Sequence, residues 1–256
     1  MLERLFGSRP FLDADVEAWH LETWAWLIDH FASEVPLKST PLVLANADFF
    51  PASDATGHAR ALHVFDCVKR IMHIEDWPCT LEAQSRRTAG HRVAEFVAVA
   101  GGDDPNGTFR IEEGGEVIIT YAPDLLDRPV ELVATLAHEL AHYLLAHEND
   151  LDEETHELIT DLTVAYTGLG LFGANAAFSF SQHGDAFSQG WSSKRSGYLS
   201  PPSWAFALAV FAQLTDDNRD YRPWLSAEVA GPWRAAMKYL GKSPEILAPL
   251  RAKIAG

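Results

Sequence analysis

Residues 129–147 read PVELVATLAHELAHYLLAH, and the reading of this stretch organises the rest of the chain. Pro129 stands where the first turn of a helix needs no backbone N–H, and Asp127, two residues earlier, is a suitable N-cap. Val133, Leu136, Leu140 and Leu144 recur at spacings of three and four, the period of an amphipathic helix. At about 100° per residue, His138 and His142 lie nearly opposite that apolar stripe. They border Thr135 and Ala141 on a second surface, which is either solvent or a cleft. Two imidazoles four residues apart on one helix face are close enough to share a metal ion. Glu139 lies about 100° further round, where it can polarise a water. His138-Glu139-Leu140-Ala141-His142 therefore offers two nitrogen ligands and a carboxylate base, groups that zinc-assisted hydrolysis requires beside an open coordination position.

With eleven histidines in 256 residues, such a pentapeptide arises by chance at about the 3% level, so the neighbouring sequence has to decide. The chain breaks at Glu148-Asn149-Asp150, and a second helical pattern runs from about Asp152 to Thr167. Leu158, Leu162, Ala165 and Leu169 form its stripe, and Gly168, Gly170 and Gly173 are expected to end it. Glu157 and Asp161 stand four apart on another face. In an antiparallel hairpin Glu157 comes level with His142, and Asp161, one turn deeper, comes level with His138. Glu157 then completes three protein ligands, while Asp161 accepts the proton on the second nitrogen of His138 and fixes its tautomer. Glu153, Glu154 and His156 compete for the third ligand position. The acidic run from Glu148 to Glu154 is otherwise read as a solvated loop and a helix N-terminus that favours negative charge. His147, five residues from His142, points elsewhere and suits the C-terminal end of the helix dipole.

His138-Glu139-Leu140-Ala141-His142 followed by Glu157-Leu158-Ile159-Thr160-Asp161 resembles the gluzincins, the zinc metallopeptidases whose third ligand is a glutamate on the next helix with an aspartate four residues later. The resemblance implies a zincin-like fold and Zn²⁺ held by His138, His142 and Glu157. It implies Glu139 as general base and Asp161 as the partner of a ligand. The spacing is that of a compact gluzincin, with 14 residues between His142 and Glu157. The stretch continuing through Gly168-Leu169-Gly170-Leu171-Phe172-Gly173-Ala174-Asn175, and again Gly197-Tyr198-Leu199-Ser200, resembles a group of uncharacterised bacterial HExxH proteins. A metzincin would need Gly at 145 and His or Asp at 148, where this chain has Leu145 and Glu148.

Length and composition suit one full core or two closely packed lobes. A formal charge of −16 argues against nucleic acid and anionic membrane surfaces as partners, because both require a basic face. The N-terminus has no apolar run of signal-peptide length. The charge-free stretches 162–184 and 196–215 hold glycines and Pro201-Pro202 and do not read as membrane spans. Cys67 and Cys79, in no paired motif, make a reducing cytoplasm the expected location.

Helices are expected over 13–34 and 56–73, with Asp76-Trp77-Pro78-Cys79 closing a helical N-terminal lobe at about residues 1–88. Most of the eight tryptophans are expected in core packing. In the remaining region, 89–256, Arg92–Ala100, Thr108–Glu112 and Glu116–Tyr121 read as an antiparallel meander punctuated by glycine pairs. The expected fold is thus α+β and zincin-like: a helical lobe, a small antiparallel or mixed sheet and a zinc-binding helix hairpin. By the same resemblance, Val117–Thr120 or a neighbouring strand binds an extended peptide by edge addition. Residues 174–200 read as a long loop leading to a helix at Trp204–Leu214. A donor that stabilises an oxyanion has to come from outside the two zinc helices, and His183, Arg195 and Tyr198 are the candidates. Three readings stay open: a zinc metallopeptidase acting on peptide or protein substrates, a zinc-binding sensor or interaction protein that does not cleave, or a metal-free helical protein whose histidines are incidental.

Overall fold

Eight α-helices and three strands make up the described residues, 10–85, 106–148, 152–184 and 198–255, of a computed structural model, with the backbone alone described over 178–184. In chain order α1 (Ala14–His30) and α2 (Gly57–Ile71) precede β1 (Thr80–Ala83), β2 (Gly107–Ile111) and β3 (Val117–Tyr121). Then come α3 (Pro129–Leu144), α4 (Glu153–Tyr166), α5 (Gly170–Gly184), α6 (Pro201–Leu214), α7 (Ala227–Lys242) and α8 (Ala248–Ala255). The strand order is β1-β3-β2. β1 runs parallel to β3 with Thr80 opposite Ile118, and β2 runs antiparallel to it with Gly107 opposite Tyr121. The fold class is α+β, as the sequence indicates.

β1 is the element the sequence conceals. Its four residues include one buried apolar side chain, Leu81, too few to show an alternation. The expected strand Arg92–Ala100 and the boundary between residues 88 and 89 lie outside the described residues. All five residues of β3 are buried, the pattern of a strand covered on both faces. β3 is paired on both sides, so Val117–Thr120 is not an edge. That position passes to β2, which among the described residues pairs with β3 alone.

α3 occupies the middle of the molecule, packed against α2, α4, α5, β2 and β3. Its stripe of Val133, Leu136, Leu140 and Leu144 is buried as expected, and so are Thr135, Ala137, Ala141 and Glu139 on the other faces. Alanines at 134, 137 and 141 keep the helix slim enough for neighbours on several sides. The helix is capped one residue later than expected. Asp127 closes a short 3-10 turn, Pro123–Asp127, and Arg128 is the N-cap. Asp152 does cap α4, accepting from the Thr155 amide at 3.0 Å.

The glycines after α4 divide into two roles. Gly168 does end the helix, at φ +85, and a Cβ there would lie 2.2 Å from the Pro41 carbonyl oxygen. Its own carbonyl accepts from Val43 N at 2.9 Å, tying the chain before α2 to the end of α4. Gly168→Ala combines a left-handed backbone with a clash against main chain. It is expected to cost at least about 2 kcal/mol, read as a lower denaturant midpoint at unchanged slope. A loss under about 0.5 kcal/mol would contradict this account.

Gly170 and Gly173 do not stop a helix; they lie inside α5, and the long loop expected from residue 174 is helical to Gly184. A Cβ at Gly170 would approach Leu208 to 2.9 Å, and one at Gly173 would approach the Trp204 ring to 2.3 Å. The two glycines are notches that let α6, apolar on all sides, lie against α5. Asn175 then clasps the segment before α7, donating to Trp224 O and accepting from Ser226 N, both at 2.8 Å. The glycine-rich stretch therefore has a packing reason.

One core continues through all of these elements, from Trp24 and Leu27 of α1 to Leu250 of α8. No helix among the described residues is long and apolar enough to cross a membrane.

Candidate metal centre

α3 and α4 pack side by side, and the side chains that meet are those an antiparallel hairpin would bring level. His138 Nε2 lies 3.1 Å from His142 Nε2 and 3.1 Å from Glu157 Oε2, and His142 Nε2 lies 3.4 Å from Glu157 Oε1. Four ligand atoms set tetrahedrally at zinc distances of about 2.0–2.1 Å have edges of about 3.3–3.4 Å. The observed contacts, which reach both oxygens of Glu157, are of that length. The two imidazole side chains are 13% exposed and Glu157 is 20% exposed, so the cluster lies in a largely buried recess. Glu153 and Glu154 are exposed and outside the cluster, as is His147.

The outward nitrogens are committed elsewhere. His138 Nδ1 lies 3.0 Å from Asp161 Oδ1, and Asp161 Oδ2 accepts from the Leu199 amide at 2.9 Å. His142 Nδ1 lies 3.3 Å from Thr160 Oγ1. Nδ1 protons on both rings would leave two Nε2 lone pairs and a carboxylate oxygen directed into one small space. That arrangement is repulsive unless a cation stands between them. A proton meets part of the demand. Burial disfavours charge on His138, but Asp161 and Glu157 outweigh it and raise the imidazole well above 6.5. His142, buried and beside His138, is pushed down to about 3. Burial works against charge on Glu157 too, yet the histidines hold it below the usual carboxylate range. A single proton serves one of these contacts, whereas a divalent cation serves all three groups, and the donor set of two imidazoles and a carboxylate suits zinc.

Glu139 is buried, at 8% exposure. Burial lifts its carboxyl to about 7, His138 opposing and Glu157 reinforcing the shift. The start of β2 lies directly over it. A Cβ at Gly107 would come within 2.9 Å of Glu139 Oε1 and 2.6 Å of Thr135 Cγ2. Only a glycine at the head of that strand lets the sheet close over the carboxylate.

Aromatic rings complete the recess. His142 stacks with Phe109, with ring centroids 6.2 Å apart and planes at 20°, and with His156, at 5.2 Å and 4°. Tyr198 packs on His138 at 5.4 Å. Its partial burial, together with Glu157, Glu139 and Asp161 nearby, raises the phenol and keeps it a neutral O–H donor. Of the three donor candidates, Tyr198 is therefore brought to the cluster. His183 falls in the last turn of α5, where its side chain lies outside the described residues, as does Arg195. Sequence reasoning missed Thr160, Phe109 and Gly107, and saw His156 as a rival ligand rather than a stacking partner. A separate surface depression of 560 Å³ is lined by Lys38, Thr40, Asp216 and Arg219 among others. Its charges pair with one another, Lys38 with Asp216 at 3.5 Å and Arg219 with Asp217 at 2.6 Å.

Comparison with protein-family models, with curated proteins and with solved structures finds no match. The geometry of the centre therefore carries the functional reading.

Proposed function

We propose that the chain is a zincin-like, zinc-dependent hydrolase of peptide bonds, with His138, His142 and Glu157 as ligands and Glu139 as general base. The observation that carries the proposal is the convergence of two imidazole Nε2 atoms and the Glu157 carboxylate, in contacts of 3.1–3.4 Å, beside a buried carboxyl lifted to about 7. Bound zinc supplies Lewis acidity to a carbonyl and acidifies water. Glu139, lying next to His138 on α3, takes the proton from the attacking water and passes it to the departing amine. Tyr198 donates its O–H toward the oxygen that gains charge. Asp161 holds the His138 imidazole with Nε2 facing inward. β2, with Gly107 and Phe109 at the recess and one neighbour among the described residues, offers an edge along which an extended peptide can lie. The formal charge of −16 speaks for peptide or protein substrates over nucleic acid.

The deciding experiment is metal content by plasma mass spectrometry on untagged protein purified without added metal. Wild type is expected to hold about one zinc per chain, and His142→Ala and Glu157→Ala to lose it or bind it much more weakly. Wild-type protein that retains no zinc after reconstitution and desalting would end the proposal.

A further inference from the structure

Thr160 has no exposed surface, and its hydroxyl has one hydrogen and two lone pairs to place. The hydrogen goes to the His156 carbonyl, 2.8 Å away and one turn back in α4. With that hydrogen committed, the same oxygen faces His142 Nδ1 at 3.3 Å as an acceptor, so Nδ1 carries the proton. We infer that Thr160 is a positioning residue for the metal centre, holding His142 in the tautomer whose Nε2 lone pair points at His138 and Glu157. The inference rests on the zinc-binding reading and extends it to a residue outside the ligand set.

Two features make Thr160 the deciding group. Phe109 and His156 each stack on the His142 ring, which constrains its plane but not which nitrogen bears the proton. The Thr160 hydroxyl settles that choice. The second feature is charge. Glu157 and Asp161 already place two carboxylates on the cluster, with Glu139 beside them, so a divalent cation is matched without another anion. A neutral acceptor for His142 gives direction and adds no further negative charge to a buried site. Asp161 orients His138 through a charged acceptor, and Thr160 orients His142 through an uncharged one.

The test measures zinc affinity by competition with a chromophoric chelator for wild type, Thr160→Val and Thr160→Ser. Thermal unfolding of each metal-free protein is recorded alongside. Valine keeps the shape and removes the acceptor. It is expected to weaken zinc binding about 10- to 100-fold with little change in metal-free unfolding, and serine is expected to restore wild-type affinity. NMR of the histidine side-chain nitrogens in the zinc-loaded wild type adds a readout free of any substitution: His142 is expected to carry its proton on Nδ1 and zinc on Nε2. Wild-type affinity in the valine variant, a loss that serine does not rescue, or zinc on Nδ1 of His142 would each overturn the inference. A wild type that binds no zinc would remove the zinc reading and this inference with it, a result distinct from tight wild-type binding that the valine variant leaves unchanged.

Discussion

Glu139→Gln is expected to keep zinc bound and to lower peptide turnover by about 10²- to 10⁴-fold, the usual contribution of a positioned general base. Glutamine fills the same space under Gly107 and differs in having no site for the proton of the attacking water. Zinc should stay because the ligand atoms belong to His138, His142 and Glu157, and Glu139 is not among them. The pH dependence has a definite sign. The base works deprotonated, so wild-type kcat/KM rises as pH rises through the Glu139 pKa. Burial sets that value at about 7 in the chain alone, and a cation beside the carboxylate favours its charged form. The acidic limb of the profile is therefore expected below pH 7, and the glutamine variant should lose it. Equal turnover in Glu139→Gln would remove Glu139 from the mechanism. Zinc bound by a wild type that cleaves nothing across a broad peptide library would instead favour a zinc-binding protein without hydrolytic activity.

The parts of this site that can be read from sequence are those fixed by helical spacing. Three and four residues per turn place His138 over His142, and Glu157 over Asp161, whatever else the chain does. A short loop between two helices leaves few ways to bring them together. Thr160 was legible by the same rule, since it stands three residues after Glu157 and so shares its side of α4. A threonine in a helix carries no chemical signature, however, and its role appears only with the His142 ring beside it. Gly107 and Phe109 were not legible, because they reach the centre through the packing of β2 on α3, in contacts between residues more than twenty positions apart. The glycines at 170 and 173 misled for a related reason. Glycine ends a helix when the backbone turns left-handed, as at Gly168, but it also sits inside one where a neighbour such as Trp204 must come close. Local sequence does not distinguish the two cases. β1 was hidden by its length, and it owes its place to pairing with β3 rather than to any pattern of its own.

A second large effect is expected from a group remote from the proposed chemistry. His20 of α1 has no exposed surface, and neither ring nitrogen has a hydrogen-bond partner among the described residues. Trp19 and Phe206 meet it edge-on, with ring centroids at 5.2 and 5.5 Å. Burial alone pushes its pKa from 6.5 down to about 3. The folded chain therefore holds His20 neutral at pH values where the unfolded chain protonates it. Because the unfolded state binds the extra proton, stability is intact above pH 6.5 and falls as the pH drops from 6.5 towards 3, by about 1.4 kcal/mol per unit from this group. Carboxylates and the other histidines add slopes of their own, so the contribution is isolated by difference. His20→Leu replaces the ring with an apolar side chain and removes two buried, unpaired nitrogens. At pH 8 the variant is expected to lie within about 1.5 kcal/mol of wild type. Between pH 6 and pH 4, denaturant titrations should show it gaining on wild type by more than about 2 kcal/mol. Parallel stability profiles would mean that His20 is solvated or paired when charged, and that α1 opens around it at low pH without cost to the rest of the core.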